Sequence, residues 1–172
     1  MQTISPHPAA STGFQPETGD TPRVLILGSF PSIQSLRHTE YYGNPQNHFW
    51  KIMESLFEID HRLPYRDRVA LLTGHHIALW DVVCSCSRKG SADEKIKEPV
   101  VNDIGGFLAT HPTVQLIVLN GTAAGRYYHR KNPAPAVGST ILPSTSPANT
   151  RYTLAEKIKA WDIVRVILKK EE

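Results

Sequence analysis

The sequence predicts an α/β protein in which helices cover both faces of a parallel β-sheet. Short apolar runs, such as Val24 to Leu27 and Val114 to Leu119, are bounded by Gly, Pro or Asn, as in strands buried on both faces. Helical segments follow these runs, so strand and helix alternate along the chain. With 172 residues, of which 40% are hydrophobic, the chain is long enough to bury such a sheet in one domain.

The predicted elements can be taken in chain order. Residues 1–21 are rich in Pro, Ser, Thr and Gly, and we expect a loose N-terminal arm that docks at its end through Phe14. Residues 22–172 should form a single domain. Strands are predicted at about 23–28, 77–83, 114–119 and 138–142, and helices at about 48–59, 64–73, 102–110, 122–131 and 152–169, with a polar loop at 84–99.

The segment from residue 23 to residue 50 joins the first strand to its helix. The strand ends at Gly28, a polar loop follows, and Asn44-Pro45 predicts a helix start with Asn44 as N-cap and Pro45 in the first turn. Right-handed crossovers bring the carboxyl ends of parallel strands to one edge of the sheet, where open α/β folds bind ligands. An active site is therefore expected where the segments GSFPS, WDVVCSC, LNGT and LPSTSPAN meet.

Composition excludes several classes of protein. The chain has no apolar run long enough to span a bilayer, no secretory signal, and neither a GxGxxG nor a GxxxxGK[ST] motif. Its two cysteines, Cys84 and Cys86, are too few for a cysteine-only metal site and do not suggest a disulfide framework, which predicts a reducing, cytoplasmic location. A net charge of +3 permits nucleic-acid binding without requiring it.

The predicted edge loops offer rings, amides and hydroxyls. Tyr42 beside Asn47 and Asn120 suits stacking and edge-on hydrogen bonding of a planar base. Hydroxyl groups near a helix start could hold a phosphate backbone, and these are contributed by Ser144, Thr145 and Ser146.

Four motifs together resemble a known family. GSFPS at 28–32, YYGNPQNHFW at 41–50, LNGT at 119–122 and LPSTSPAN at 142–149 are similar, in this order, to the uracil-DNA glycosylase superfamily. The greatest similarity is to its hypoxanthine-DNA (deoxyinosine) glycosylase branch, which adjoins the mismatch-specific thymine/uracil glycosylases. The resemblance covers about residues 22–168 and implies a three-layer α/β/α sandwich with a central four-stranded parallel sheet of strand order 2-1-3-4.

The resemblance also implies an activity. Such enzymes flip a deaminated base out of double-stranded DNA and hydrolyse its N-glycosidic bond, leaving an abasic site. They act as monomers and use no metal or other cofactor. For this chain the resemblance implies hypoxanthine as the preferred base, with uracil or xanthine as further substrates, and a nucleoid-associated location if the source is bacterial.

Site residues follow from the matched motifs. The resemblance implies that Tyr42 stacks on the flipped base and that Asn47 contacts the base or the attacking water. The base pocket is completed by Gly28, Ser29, Phe30 and Pro31, and the DNA contacts are made by Ser32, Ser144, Thr145, Ser146 and Pro147.

One position departs from the pattern of relatives that excise uracil. Those relatives carry Asp, Glu or Asn immediately before the first-motif proline to activate water, whereas this chain has Phe30. Asn47 is therefore expected to be the main catalytic residue, and Asn120 is the second candidate. An amide can orient water although it is a weak base. Asp81 and Asp93 are the alternatives, although Asp81 is also expected to cap N–H groups at the end of its strand.

Two rival functions remain open from the sequence. The loss of an acid at Phe30 would fit a non-catalytic nucleic-acid-binding module on the same fold. A small-molecule hydrolase is disfavoured because no nucleophile–base pair can be named. Arg88 and Lys89 are interpreted as solvated charges, with contacts to the DNA backbone as the alternative.

Overall fold

The computed structural model describes residues 9–132 and 136–170. Within them, the strands are β1 (Ser11–Thr12), β2 (Val24–Gly28), β3 (Ile77–Asp81), β4 (Val83–Ser87), β5 (Lys97–Val101), β6 (Leu116–Asn120) and β7 (Ser139–Leu142). The helices are α1 (Ile33–His38), α2 (Phe49–Phe57), α3 (Tyr65–Gly74), α4 (Ile104–Thr110), α5 (Thr122–Lys131) and α6 (Leu154–Lys169). No described helix is both long and apolar enough to cross a membrane.

The main sheet is parallel and has the strand order β3-β2-β6-β7. Counted along the chain, this is the order 2-1-3-4, as predicted. Its register pairs Gly28 with Asp81 and Asn120 with Leu142. The last residues of all four strands therefore lie side by side at the carboxyl edge of the sheet.

Two hydrophobic layers enclose this sheet, which confirms the α/β/α sandwich. On β2, Val24 and Ile26 pack with α2, α3 and α6, where Trp161 is fully buried. Leu25 and Leu27 face the opposite layer, which contains α4 and α5. All four of these strand side chains have no exposed surface, which explains the continuous apolar run in the sequence.

A second, antiparallel sheet corrects the prediction of a polar loop at 84–99. It has the order β1-β4-β5, and the turn between β4 and β5 contains a short 3-10 helix at Asp93–Lys95. The strands were missed because β4 is short and polar, and because β5 carries Pro99 and four exposed side chains. This hairpin leaves the sheet directly after Asp81 and folds back beside the loop that follows β2.

Residues 9–21, the described part of the predicted arm, run along the domain. Ser11 pairs with Cys86 in the second sheet, and Glu17 bridges to Leu79 in the main sheet. The Phe14 ring packs edge-on against Tyr41 at 5.2 Å. Residues 1–8 of the predicted arm lie outside the described residues.

The connection from β2 to α2 differs from the prediction in two ways. Its first part forms α1, capped by the Ser32 hydroxyl, which accepts a hydrogen bond from the Ser35 N–H at 3.1 Å. The helix start predicted at Asn44 is wrong, because α2 begins at Phe49. Asn44 instead caps a turn, accepting a hydrogen bond from the Gln46 N–H at 2.9 Å.

Candidate active site

A cavity of about 260 Å³ opens at the carboxyl edge of the main sheet. The loops after β2 and β7 and the turn that precedes α2 contribute to its wall, as do the ends of β3 and β6 and the segment that joins β4 to β5. All twelve site residues expected from the sequence line this cavity: Gly28, Ser29, Phe30, Pro31, Ser32, Tyr42, Asn47, Asn120, Ser144, Thr145, Ser146 and Pro147.

Tyr42 forms an aromatic wall of the cavity. Its backbone has a φ of 57°, and its ring stacks on Phe49 with centroids 4.1 Å apart. The hydroxyl group is enclosed without a hydrogen-bond partner among the described residues. Burial, followed by the nearby charge of Asp81, raises the pKa of this phenol. Phe49 thus holds the Tyr42 ring in place, and the hydroxyl group of Tyr42 stays protonated.

Asn47 lies in the first part of the turn that leads into α2. Its Oδ1 accepts a hydrogen bond from the Phe49 N–H at 2.9 Å. Its amide nitrogen has no hydrogen-bond partner in the described part of the chain. The Asn47 amide therefore keeps both N–H donors and one oxygen lone pair available to a group in the cavity that it lines.

The Asn120 amide, at the end of β6, holds the loop that follows β7. Its Nδ2 donates to the Thr145 hydroxyl at 3.0 Å, and its Oδ1 accepts from the Thr145 N–H at 2.9 Å. The Thr145 carbonyl in turn accepts from the His48 N–H at 2.9 Å. Both chemical ends of the Asn120 amide are therefore engaged, and Thr145 is fully buried.

Asp81 ends β3 at the inner side of the cavity. Its side chain is 4% exposed, and Oδ2 is enclosed without a hydrogen-bond partner among the described residues. A Cβ at Gly28 would lie 2.5 Å from Asp81 Oδ1 and 3.2 Å from the Tyr42 hydroxyl oxygen. Burial, and then the charge of Asp93, raise the pKa of Asp81 to about 7, although Arg88 opposes the shift.

The expectation that Asp81 caps the end of its strand is wrong. No described N–H group donates to its carboxylate, and the hydrogen bond from Asn102 Nδ2, at 2.8 Å, goes to its backbone carbonyl. The carboxyl lies instead over Gly28 on the neighbouring strand β2, close to the Tyr42 hydroxyl group.

Asp93 lines the adjoining side of the cavity, and Arg88 packs against the loop that follows β2. Asp93 Oδ1 accepts a hydrogen bond from the Ser29 hydroxyl at 2.6 Å. Burial raises the pKa of Asp93, while the Ser29 bond counteracts this shift. The guanidinium group of Arg88 donates to the Pro31 carbonyl and stacks over the Phe30 ring at 5.1 Å. Arg88 is therefore a half-buried cation engaged by the loop that follows β2, and its interpretation as a fully solvated charge is wrong, whereas a contact with the DNA backbone stays a prediction.

A fully buried lysine lies behind the loop that follows β7. Lys157, on α6, places Nζ 3.3 Å from His48 Nδ1 and 3.5 Å from the Ser146 carbonyl oxygen. Burial lowers the pKa of Lys157. Partial burial, followed by the charge of Lys157, lowers the pKa of His48. Lys157 thus supports the loop from inside the domain.

Potential metal ligands are grouped elsewhere. Among the described residues, ligand atoms of Glu54, Asp60 and His61 lie within 4.8 Å of one another. These side chains are partly exposed, and none of them lines the cavity.

Comparison with known proteins identifies the family. The family model described as "Uracil DNA glycosylase superfamily" matches residues 16–165, which is most of the chain. The chain belongs to the uracil DNA glycosylase superfamily. The match includes all the loops that form the cavity.

Two curated proteins and one solved structure are similar to this superfamily member. Hypoxanthine DNA glycosylase of Methanosarcina acetivorans is 35% identical over 153 residues, covering 88% of this chain and 96% of that protein. The protein of the same name from Methanosarcina barkeri is 34% identical over 150 residues, covering 87% and 94%. The solution NMR structure of a candidate uracil DNA glycosylase from Methanosarcina acetivorans has a TM-score of 0.82 at 33% identity, covering 94% of this chain and 99% of that one.

Sequence reasoning missed two residues that shape the site of this uracil DNA glycosylase superfamily member. Lys157 follows Leu154 by three residues and precedes Trp161 by four, a helical spacing that predicts the buried face. Ser91, whose hydroxyl oxygen accepts from the Ile33 N–H at 2.9 Å, ties the segment after β4 to α1. No local signal predicts that contact, because the two residues are far apart along the chain.

Proposed function

We propose that this superfamily member removes hypoxanthine from double-stranded DNA by hydrolysing its N-glycosidic bond, with uracil and xanthine as further substrates. The observation that carries this proposal is the cavity lined by Tyr42, the motif loops and Asn47, whose amide nitrogen has no hydrogen-bond partner among the described residues. Two proteins that are similar to this chain bear the name hypoxanthine DNA glycosylase. The product would be a free base and an abasic site.

The flipped base would stack on Tyr42. Phe49 covers one face of the tyrosine ring, and the ring also lines the cavity. An aromatic wall held in place in this way favours a planar base, because stacking contributes about 1–3 kcal/mol for each base. Unstacking the base from duplex DNA costs a few kcal/mol, so the wall offsets part of the cost of base flipping.

Asn47 would donate a hydrogen bond to the base or to the attacking water. An amide is too weak a base to take a proton from water, so its role is to orient the water or the base. A donor that faces the base stabilises the negative charge that develops as the bond to the sugar breaks. Asn120 would act through Thr145, by holding the loop that closes the cavity.

The DNA backbone would run along the rim of the cavity. Ser32, Ser144, Ser146 and Pro147 lie on this rim and would contact the phosphates on either side of the flipped nucleotide. We propose that the protein acts as a monomer on duplex DNA inside the cell, because one chain supplies every loop that forms the cavity.

The test is base excision from labelled duplexes that carry one inosine, uracil, xanthine or thymine mismatch, followed by alkali cleavage. Asn47→Asp keeps an oxygen for the Phe49 N–H but removes the donor, so we expect it to lower inosine excision by about 100-fold. Asn132→Ala is the control, because its amide bonds the Tyr128 carbonyl at the end of α5. Equal activity of Asn47→Asp and the wild-type protein would remove Asn47 from the mechanism.

A non-catalytic DNA-binding module is the second candidate. Phe30 favours it, because an apolar ring beneath Arg88 cannot activate water. Binding of inosine-containing duplex without release of any base, on both single and double strands, would establish this alternative.

A further inference from the structure

Asp81 is a buried titratable residue of the cavity, and the roles proposed for Asn47 and Tyr42 do not use it. Its carboxyl group lies where the ends of β2 and β3 meet, and one oxygen is enclosed without a hydrogen-bond partner among the described residues. Only the absence of a Cβ at Gly28 leaves room for the other oxygen. A buried polar group without a partner is costly, so its retention needs an explanation.

We propose that Asp81, in its protonated form, donates a hydrogen bond to the departing base and stabilises the negative charge that the base acquires. This inference rests on the proposed function, because it assigns a catalytic residue to the same cavity. In the reaction the water oxygen bonds to the sugar C1′, and the electron pair of the N-glycosidic bond leaves with the base. A proton from the water finally neutralises the base, and Asp81 ends the cycle unchanged.

The surroundings of Asp81 favour its neutral form. The carboxyl is 4% exposed, and Asp93 adds a second negative charge from the segment after β4. Arg88 is the positively charged group that acts on it, but the Pro31 carbonyl and the Phe30 ring also engage that guanidinium. Tyr41 and Tyr42 complete the titratable groups around it, and both stay neutral. Burial first and the charge of Asp93 second raise the pKa of Asp81 to about 7, against the opposing charge of Arg88.

The chemistry of the leaving group also requires the neutral form. An ionised carboxylate only accepts hydrogen bonds, and its charge would oppose the negative charge on the base. The protonated acid donates instead and lowers the barrier. Phe30 brings no carboxyl to the cavity, and the neighbouring strand supplies one at Asp81.

The test is single-turnover excision from an inosine duplex between pH 5 and pH 9. We expect the wild-type rate to fall about tenfold for each pH unit above the pKa of Asp81, because the donor is lost. Asp81→Asn keeps a donor that does not titrate, so its rate should stay within about tenfold of wild type at pH 6 and lose this decline. Asp81→Ala should be about 100-fold slower at pH 6. Asp20→Asn, at an exposed position, is the matched control.

Two results would overturn the proposal. A rate that rises through pH 7, with a large loss in Asp81→Asn at every pH, would make Asp81 a general base for water. A wild-type profile that Asp81→Asn leaves unchanged would make the carboxyl purely structural. Thermal unfolding of each variant separates these outcomes from loss of the fold.

A second readout does not need turnover. The pKa of the Asp81 carboxyl is measured by carbon NMR with and without a duplex that carries uncleavable 2′-fluoro-deoxyinosine. The proposal expects this pKa to rise on binding, because the base stabilises the protonated acid. A fall or no change overturns the proposal. If the wild-type protein releases no base at any pH, the proposed function fails, whereas the NMR result still decides the state of Asp81.

Discussion

At the scale of single residues, the atoms that are already hydrogen-bonded decide what the cavity can do. Asn47 and Asn120 carry the same amide group, but within the described chain the Asn47 nitrogen has no partner, whereas both ends of the Asn120 amide are bonded to Thr145. Asp81 has an enclosed oxygen with no partner among the described residues. The sequence brings these residue types to one edge of the sheet, but it cannot say which atoms remain free, because that depends on contacts between distant segments.

Asp81 should make the stability of the protein depend on pH in an unusual direction. The pKa of Asp is about 3.9 in an unfolded chain, whereas burial and Asp93 raise it to about 7 in the folded protein. The folded state therefore holds an extra proton between these values. The contribution of this group to stability is fully present below about pH 4 and is lost as the pH rises through 7.

We therefore expect the free energy of unfolding of wild type, relative to Asp81→Asn, to fall by about 2–4 kcal/mol between pH 4 and pH 8. Urea denaturation at several pH values measures this difference, with Asp20→Asn as the control. A difference that does not change with pH would show that Asp81 is ionised in the folded protein.

At the scale of elements, the end of β2 determines how closely the Asp81 carboxyl can approach. A methyl group at Gly28 would overlap Asp81 Oδ1, so Gly28→Ala should lower stability by about 1–3 kcal/mol. It should also lower inosine excision at least about tenfold by displacing the carboxyl. Gly74→Ala adds a methyl in open space at the end of α3 and should raise stability by up to about 1 kcal/mol. Equal effects of the two substitutions, measured by urea denaturation and excision, would contradict the close packing at Gly28.

The first turn of α6 supports the loop that follows β7. Lys157→Met removes the donor next to the Ser146 carbonyl and His48, but it also removes a buried ammonium group. These effects offset each other, so stability should stay within about 1 kcal/mol of wild type. Loosening of the loop should raise KM for DNA about tenfold and leave kcat unchanged. Lys159→Met, at an exposed position of the same helix, is the control, and a fall in kcat at constant KM would assign Lys157 to the chemistry.

Periodicity predicted the main sheet and most of the helices, because their buried residues form regular patterns. Val24 to Leu27 are all buried, and the apolar run alone reveals the strand. The hairpin of β4 and β5 has no such signal, since its strands are polar and partly exposed. The helix start at Asn44 was misplaced because Asn-Pro also suits a turn, and here the turn brings Asn47 to the cavity.

At the scale of the whole molecule, the net charge is too small to bind DNA unless positive side chains cluster near the cavity. The net charge is only +3, so the contacts near the cavity should dominate the salt dependence. Arg151 lies in a depression that shares Ser144 and Ser146 with the cavity. Lys169 lies at the opposite end of α6, a helix of 16 residues that is roughly 24 Å long.

Arg151→Ala should therefore reduce the slope of log binding constant against log salt by about 0.9, the effect of one lost phosphate contact. Lys169→Ala should leave the slope unchanged. Fluorescence anisotropy with an inosine duplex at about 50 to 300 mM salt measures both slopes. A larger effect at Lys169 would place the DNA on another face of the molecule.

The most direct test of the central claim is to identify the product. Wild-type protein is incubated with an inosine-containing duplex, and released hypoxanthine is quantified by mass spectrometry beside the alkali-labile DNA strand. We predict one free hypoxanthine for each abasic site formed, and no strand break before alkali treatment. Bound duplex with no free base, or a strand cut with the base still attached to its sugar, would contradict the assignment of this chain as a DNA glycosylase.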